Sequence, residues 1–153
     1  MQRTLSMAKN RDFSAAEQLN FLKVAYPDSQ GQTTSKGFVW HCDIRPQPLS
    51  NVYRLKIQFF KDKSPRAFIE SPVCLQLAEG ATKLPHTYDT KRQWLCLFYP
   101  KYREWNHSMK VSETIVHWAI LWMIYYESWV HTGVWQGGGH GNWDAEKPQN
   151  TQE

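Results

Sequence analysis

Hydrophobic positions change spacing along this chain, and each change predicts an element. From residue 15 to 26, Ala15, Leu19, Leu22 and Tyr26 recur at intervals of three and four, which places them on one face of a helix. Ser14-Ala15-Ala16-Glu17 forms a capping box at its start, where a hydroxyl and a carboxylate satisfy backbone donors that the first turn leaves open. Pro27 ends the helix, since proline lacks the N–H and its ring clashes with the preceding turn. Residues 28–36 are rich in Ser, Gln, Thr and Gly and predict a solvated loop.

From Phe38 the interval becomes two. Phe38, Trp40, Cys42 and Ile44 alternate with Val39, His41 and Asp43, which predicts a strand with one buried face. Tyr53, Leu55, Ile57 and Phe59 repeat the pattern against Arg54, Lys56 and Gln58, and residues 66–70 predict a shorter third strand, closed by Pro72. With residues 73–77 as an irregular edge strand, the expectation is a four-stranded antiparallel meander. An irregular segment covers residues 84–105. A long helix follows, capped by Ser108 or Ser112, with Glu113 in its first turn and Gly133 as a left-handed terminator. Ile115, Trp118, Ala119, Trp122, Tyr126 and Trp129 form one stripe of that helix, and Leu121, Ile124 and Tyr125 widen it, so the helix is expected to be largely buried as core. The fold class is α+β: an N-terminal helix, an antiparallel four-stranded meander, an irregular active-site segment and a long C-terminal helix. Residues 1–12 are read as a flexible leader, 13–135 as one domain and 136–153 as a Gly-rich polar tail, a hinge or a loop that folds back.

At 153 residues the chain suits one domain with a sizeable core. Aromatic residues make up 14% of it, including eight Trp, so much of that core is built of rings. A net charge of +4 favours acidic partners or nucleic acid without bearing on the fold. Cys42, Cys74 and Cys96 are odd in number and lack CxxC spacing, which points to free thiols in a reducing cytoplasm. The longest apolar stretch, residues 118–126, is much shorter than the roughly 20 residues that cross a bilayer, so no membrane span is expected.

Chemistry concentrates in residues 84–105, where His86 and Cys96 flank a polar turn. A thiol has a pKa of about 8.5, and its minor thiolate fraction is strongly nucleophilic. Cys96 is thus a candidate nucleophile, or else a structural thiol between Leu95 and Leu97. Cys42 falls on a core-facing position and Cys74 has no ionisable neighbour in sequence, so both are read as structural. Lys91, Arg92, Lys101 and Arg103 bracket Cys96 and would stabilise a thiolate, guide an acidic partner tail, or form a solvated basic surface. His86 suits a proton shuttle, a metal ligand or a structural brace, the last being favoured because thiol exchange needs little acid–base help. His86, Cys96, His131 and His140 lack the close ligand pairs of zinc sites, so neither metal nor cofactor is expected. Trp105 reads as an anchor under the active segment. Two other functions fit the same residues: a binding module using residues 99–105, and a nucleic-acid binder stacking bases on Trp94, Phe98, Tyr99 and Tyr102.

The order of elements, with His86, Cys96-Leu97, Trp105 and the helix from Glu113, resembles the ubiquitin-conjugating enzymes over residues 14–131. Leu84-Pro85-His86, Leu95-Cys96-Leu97, Tyr126-Glu127-Ser128-Trp129 and the run from Thr132 to Gly139 are similar to a bacterial subgroup. Those proteins are encoded beside cGAS-like nucleotidyltransferases in short type II CBASS anti-phage operons. The resemblance implies that Cys96 forms a thioester with the C-terminus of the partner nucleotidyltransferase, with a lysine-bearing protein as a further acceptor and no role for nucleic acid or membrane. The family's His-Pro-Asn is His86-Thr87-Tyr88 here, so the Asn credited with steadying the oxyanion is replaced by Tyr88, which offers one hydroxyl donor.

Overall fold

A computed structural model describes residues 11–137. Helix α1 (Ala15–Ala25) carries the predicted capping box, with Ser14 Oγ accepting from Glu17 N–H and Glu17 Oε1 accepting from Ser14 N–H. Its buried face includes Gln18, a polar residue that the apolar periodicity passes over. The Gln18 amide donates to Met109 O at 2.8 Å and accepts from Val111 N at 2.9 Å, tying α1 to the approach to the last helix.

Among the described residues the sheet has six strands, not the expected four: β1 (Gln30–Thr34), β2 (Gly37–Ile44), β3 (Tyr53–Phe60), β4 (Arg66–Ser71), β5 (Thr87–Asp89) and β6 (Trp94–Leu95). Their spatial order is β1-β2-β3-β4-β6-β5, and every neighbouring pair is antiparallel. Alternation in β2 and β3 buries Phe38, Trp40, Tyr53, Leu55, Ile57 and Phe59 on the inner face, as period two requires. Three boundaries depart from expectation. The predicted loop at 28–36 contains β1, whose residues are all exposed; pairing with β2 supplies the order that its polar composition does not advertise. Residues 73–77 form no strand, because a side chain satisfies backbone groups on either side of the turn: Gln93 accepts from Leu75 N–H and donates to Ile69 O and Pro72 O. The sheet instead continues into the segment expected to be irregular, through β6 and β5.

After a 3-10 turn (Pro100–Tyr102), helix α2 (Ile115–Thr132) closes the inner layer. It starts later than predicted, so neither Ser108 nor Ser112 caps it and Glu113 precedes it. Thr114 holds the cap position, but its hydroxyl donates to Lys110 O and accepts from Trp105 Nε1 at 3.0 Å, fixing the preceding loop to the helix start. Gly133 ends the helix with φ 77°, the left-handed conformation that glycine adopts without Cβ strain. Ile115, Val116, Ala119, Trp122, Met123, Tyr126 and Trp129 enter the core. The wider apolar surface of α2 does not: Trp118 and Tyr125 are half-buried and Leu121 is exposed, because the sheet covers only one side of the helix.

Most of the predicted leader and tail, residues 1–10 and 138–153, lies outside the described residues. No helix among those described is long and apolar enough to cross a membrane.

Candidate functional site

Cys96 follows β6 and His86 precedes β5, so the pairing of these short strands sets the distance between them. Cys96 N–H donates to His86 O at 3.0 Å. The same carbonyl accepts from Trp122 Nε1 at 3.2 Å, as does Pro85 O, so α2 holds the His86 backbone from the other side. His86 has φ 51°, in the left-handed region that costs a side-chain-bearing residue roughly 1–2 kcal/mol, and these bonds keep it there. Its ring is buried and stacks on Trp135, with centroids 4.8 Å apart and planes at 24°.

The β5–β6 pairing places Thr87 opposite Leu95 and Asp89 opposite Trp94, which leaves Tyr88 at an irregularity between them. A bulge of this kind re-aims a side chain. The Tyr88 ring leans on Trp94, 4.8 Å between centroids, and its hydroxyl donates to Phe98 O at 2.9 Å. The Cys96 sulfur addresses the same carbonyl at 3.8 Å, which brings phenol and thiol together. Burial foremost, then the hydrogen bond with Cys96, pushes the Tyr88 phenol well above its usual pKa, so the hydroxyl stays protonated as a donor.

Cys96 is only 2% exposed, yet it lines a cleft of about 390 Å³ together with His86, Leu97, Glu104, Trp118 and Trp122. Leu121, Tyr125 and Trp135 complete the wall, which accounts for the apolar side of α2 that the core does not use. The chain after the helix folds back to close it. Gly137 lies so near the Tyr125 ring that a Cβ there would collide with it. Glu104 escaped the sequence reading among basic and aromatic neighbours. Its Oε1 accepts from Tyr99 N–H at 2.9 Å, across a turn in which Arg103 is left-handed.

The other candidate residues lie outside the lining of this cleft. None of Lys91, Arg92, Lys101 and Arg103 lines the Cys96 cleft. Arg92 covers Phe68 and Trp94 on the outer face of the sheet, Lys91 lies beside it, and Lys101 covers Tyr102. Trp105 is buried, with its ring edge-on to Phe59 and its indole N–H on Thr114, so residues 99–105 present a surface without it. Trp94 and Phe98 do not share an open platform: Phe98 is buried against Trp118, while Trp94 lies among the cations of the sheet face. Cys42, Cys74 and Cys96 form no disulfide among the described residues; Cys42 is buried, which raises its pKa, and Cys74 is exposed. Among the described residues no group of three or more His, Cys, Asp or Glu could hold a metal ion, and His140 of the zinc set considered above lies outside them.

Comparison with protein families finds a match over residues 18–142 to a model described as Type II CBASS E2 protein. No curated protein matches the chain.

Proposed function

Given that the chain belongs to the type II CBASS E2 protein family, and so to CBASS anti-phage defence, we propose that it is a ubiquitin-conjugating-like thioester carrier whose nucleophile is Cys96. The observation that carries this reading is the position of that thiol. It lines an aromatic cleft, beside a protonated phenol, on a loop braced from both sides through the His86 carbonyl. The partner is a cGAS-like nucleotidyltransferase of the same operon, and its activated C-terminal carboxyl is the substrate. The Cys96 thiolate attacks the carbonyl carbon. A carbon–sulfur bond forms, the bond to the activating group breaks, and that group leaves with the electron pair.

Tyr88 supplies the donor that ubiquitin-conjugating enzymes draw from Asn. Its hydroxyl rests on Phe98 O and turns toward the developing oxyanion as negative charge appears there. His86 acts through its backbone as the brace of the thiol loop, and Trp105 anchors the following loop to α2. The thioester retains its acyl-transfer potential for a lysine amine or water. The cytoplasm, where thiols stay reduced, is the compartment that suits this chemistry.

Purification with the partner is expected to give a covalent adduct on Cys96 by intact-mass spectrometry. The adduct is cleaved by hydroxylamine and missing in Cys96→Ala. An unmodified Cys96 after incubation with partner and its activating cofactors would refute the reading. A non-catalytic partner-binding module is the second reading, favoured by the 2% exposure of Cys96. In that case Cys96→Ser keeps both partner binding and phage protection.

A further inference from the structure

The outer face of the sheet, opposite the core, carries an unbroken alternation of rings and cations. The Arg66 guanidinium lies 5.4 Å from the Phe60 centroid and 4.8 Å from that of Trp94. Arg92 continues the series, 5.4 Å from Trp94 and 5.6 Å from Phe68, and the Lys56 ammonium closes it 5.0 Å from Phe68. Strand register builds the ladder, since Lys56 pairs with Phe68, and Phe68 pairs with Trp94. With their charged groups over the rings, these long side chains are held in place on the sheet face.

The charges are unevenly matched. Glu70 lies 4.0 Å from Lys56 and also takes His41 and Arg54. Among the described residues no carboxylate forms an ion pair with Arg66 or Arg92; Asp89 accepts only the backbone N–H of Arg92. The Arg66 end opens into a second cleft, of about 420 Å³, which is lined by Tyr88 and Trp94 and reaches Leu97 and Phe98 just beyond Cys96.

We propose that this ladder docks an acidic stretch of the polypeptide whose C-terminus Cys96 accepts, an inference that rests on the thioester reading. Two observations favour a peptide over nucleic acid. Phe68 is 5% exposed beneath Lys56 and Arg92, and the half-buried rings of Phe60 and Trp94 are each covered by a cation, so little ring face is left for a base to stack on, whereas guanidinium N–H donors suit the paired grip of carboxylates. The ladder also ends in a cleft lined by Leu95, Leu97 and Phe98, so a chain lying along it is led to the loop that carries Cys96.

Fluorescence anisotropy of the full chain, carrying Cys96→Ala, tests docking independently of the chemistry, with labelled oligoglutamate and labelled oligothymidylate as probes. Arg66→Glu with Arg92→Glu is expected to weaken oligoglutamate binding at least about tenfold. Lys36→Glu with Lys83→Glu, an equal change in charge elsewhere on the surface, should leave it within about twofold. Arg66→Lys with Arg92→Lys keeps the charge and is expected to give a partial loss, which separates loss of the paired donors from failure to fold. Equal loss in both reversal pairs, or oligothymidylate binding more tightly than oligoglutamate and depending on the two arginines, would overturn the proposal. In the wild-type chain with its partner, the Arg66→Glu, Arg92→Glu pair should raise the partner concentration for half-maximal adduct about tenfold at an unchanged saturating rate. An unchanged half-maximal concentration would count against docking. Complete absence of adduct in the wild type would count against the thioester reading, and anisotropy would still decide the ladder.

Discussion

At the scale of single residues, the site depends on where short side chains and backbone carbonyls are aimed. Cys96 and His86 were legible in the sequence as a thiol and an imidazole flanking a turn. Their connection through the His86 carbonyl was not, because a backbone acceptor leaves no mark in residue identity. Tyr88 stood out as a replacement for Asn, yet only the irregular β5–β6 pairing brings its hydroxyl to Phe98 O beside the sulfur. Tyr88→Phe removes that donor and keeps the ring on Trp94. Loss of one oxyanion donor typically costs about 2.7–4 kcal/mol, so single-turnover adduct formation should slow by about 10²–10³-fold. An unchanged rate would show that Tyr88 does not reach the oxyanion. Gln18 and Gln93 escaped notice for a related reason: each is a polar residue whose amide replaces missing backbone partners, and periodicity counts only apolar positions.

At the scale of elements, local rules succeed where the element's own residues supply the order. Helix α1 begins as its capping box predicts, and Arg11 reinforces the box through paired bonds to Glu17 at 2.9 and 2.8 Å. The Arg11 hydrogen bond first, then the Ser14 backbone, lowers the Glu17 pKa from 4.5 to about 2. A carboxylate depressed in the folded state contributes stability that is present above its unfolded pKa and lost as pH falls toward the folded one. Thermal midpoints should therefore fall between pH 4.5 and about 2 more steeply in the wild type than in Glu17→Gln. Parallel curves would mean that the box does not couple to global stability. Local rules fail at β1, where pairing with β2 supplies the order, and at the start of α2, where the hydroxyl of Thr114 serves Trp105 and Lys110 instead of the helix.

At the scale of the whole molecule, the helix, the β5–β6 segment and the chain beyond Gly133 meet over one thiol. Trp135 stacks on His86, approaches the Trp122 and Tyr125 rings at 6.0 and 5.8 Å, and lines the same cleft as Cys96. An aromatic contact of this kind is worth about 0.5–1.5 kcal/mol, so Trp135→Ala should speed alkylation of Cys96 by about two- to tenfold. Gly137→Ala should act in the same direction, because its Cβ would collide with Tyr125 and lift the segment. Peptide mapping after iodoacetamide separates Cys96 from Cys74, whose rate should not move. A constant Cys96 rate in both variants would mean that other elements bury the thiol.

The amino-acid sequence by itself determined the two helices, the three central strands and the candidacy of Cys96, since periodicity, capping and residue chemistry act over a few positions. Tertiary structure decided the rest of the sheet, the division of α2 between core and cleft, and the placement of Lys91, Arg92, Lys101 and Arg103 outside the lining of the Cys96 cleft. Those outcomes depend on which distant backbone or ring occupies the neighbouring space. Local spacing says that a face is apolar; only the packed chain says whether that face becomes core or lines the entrance to a nucleophile.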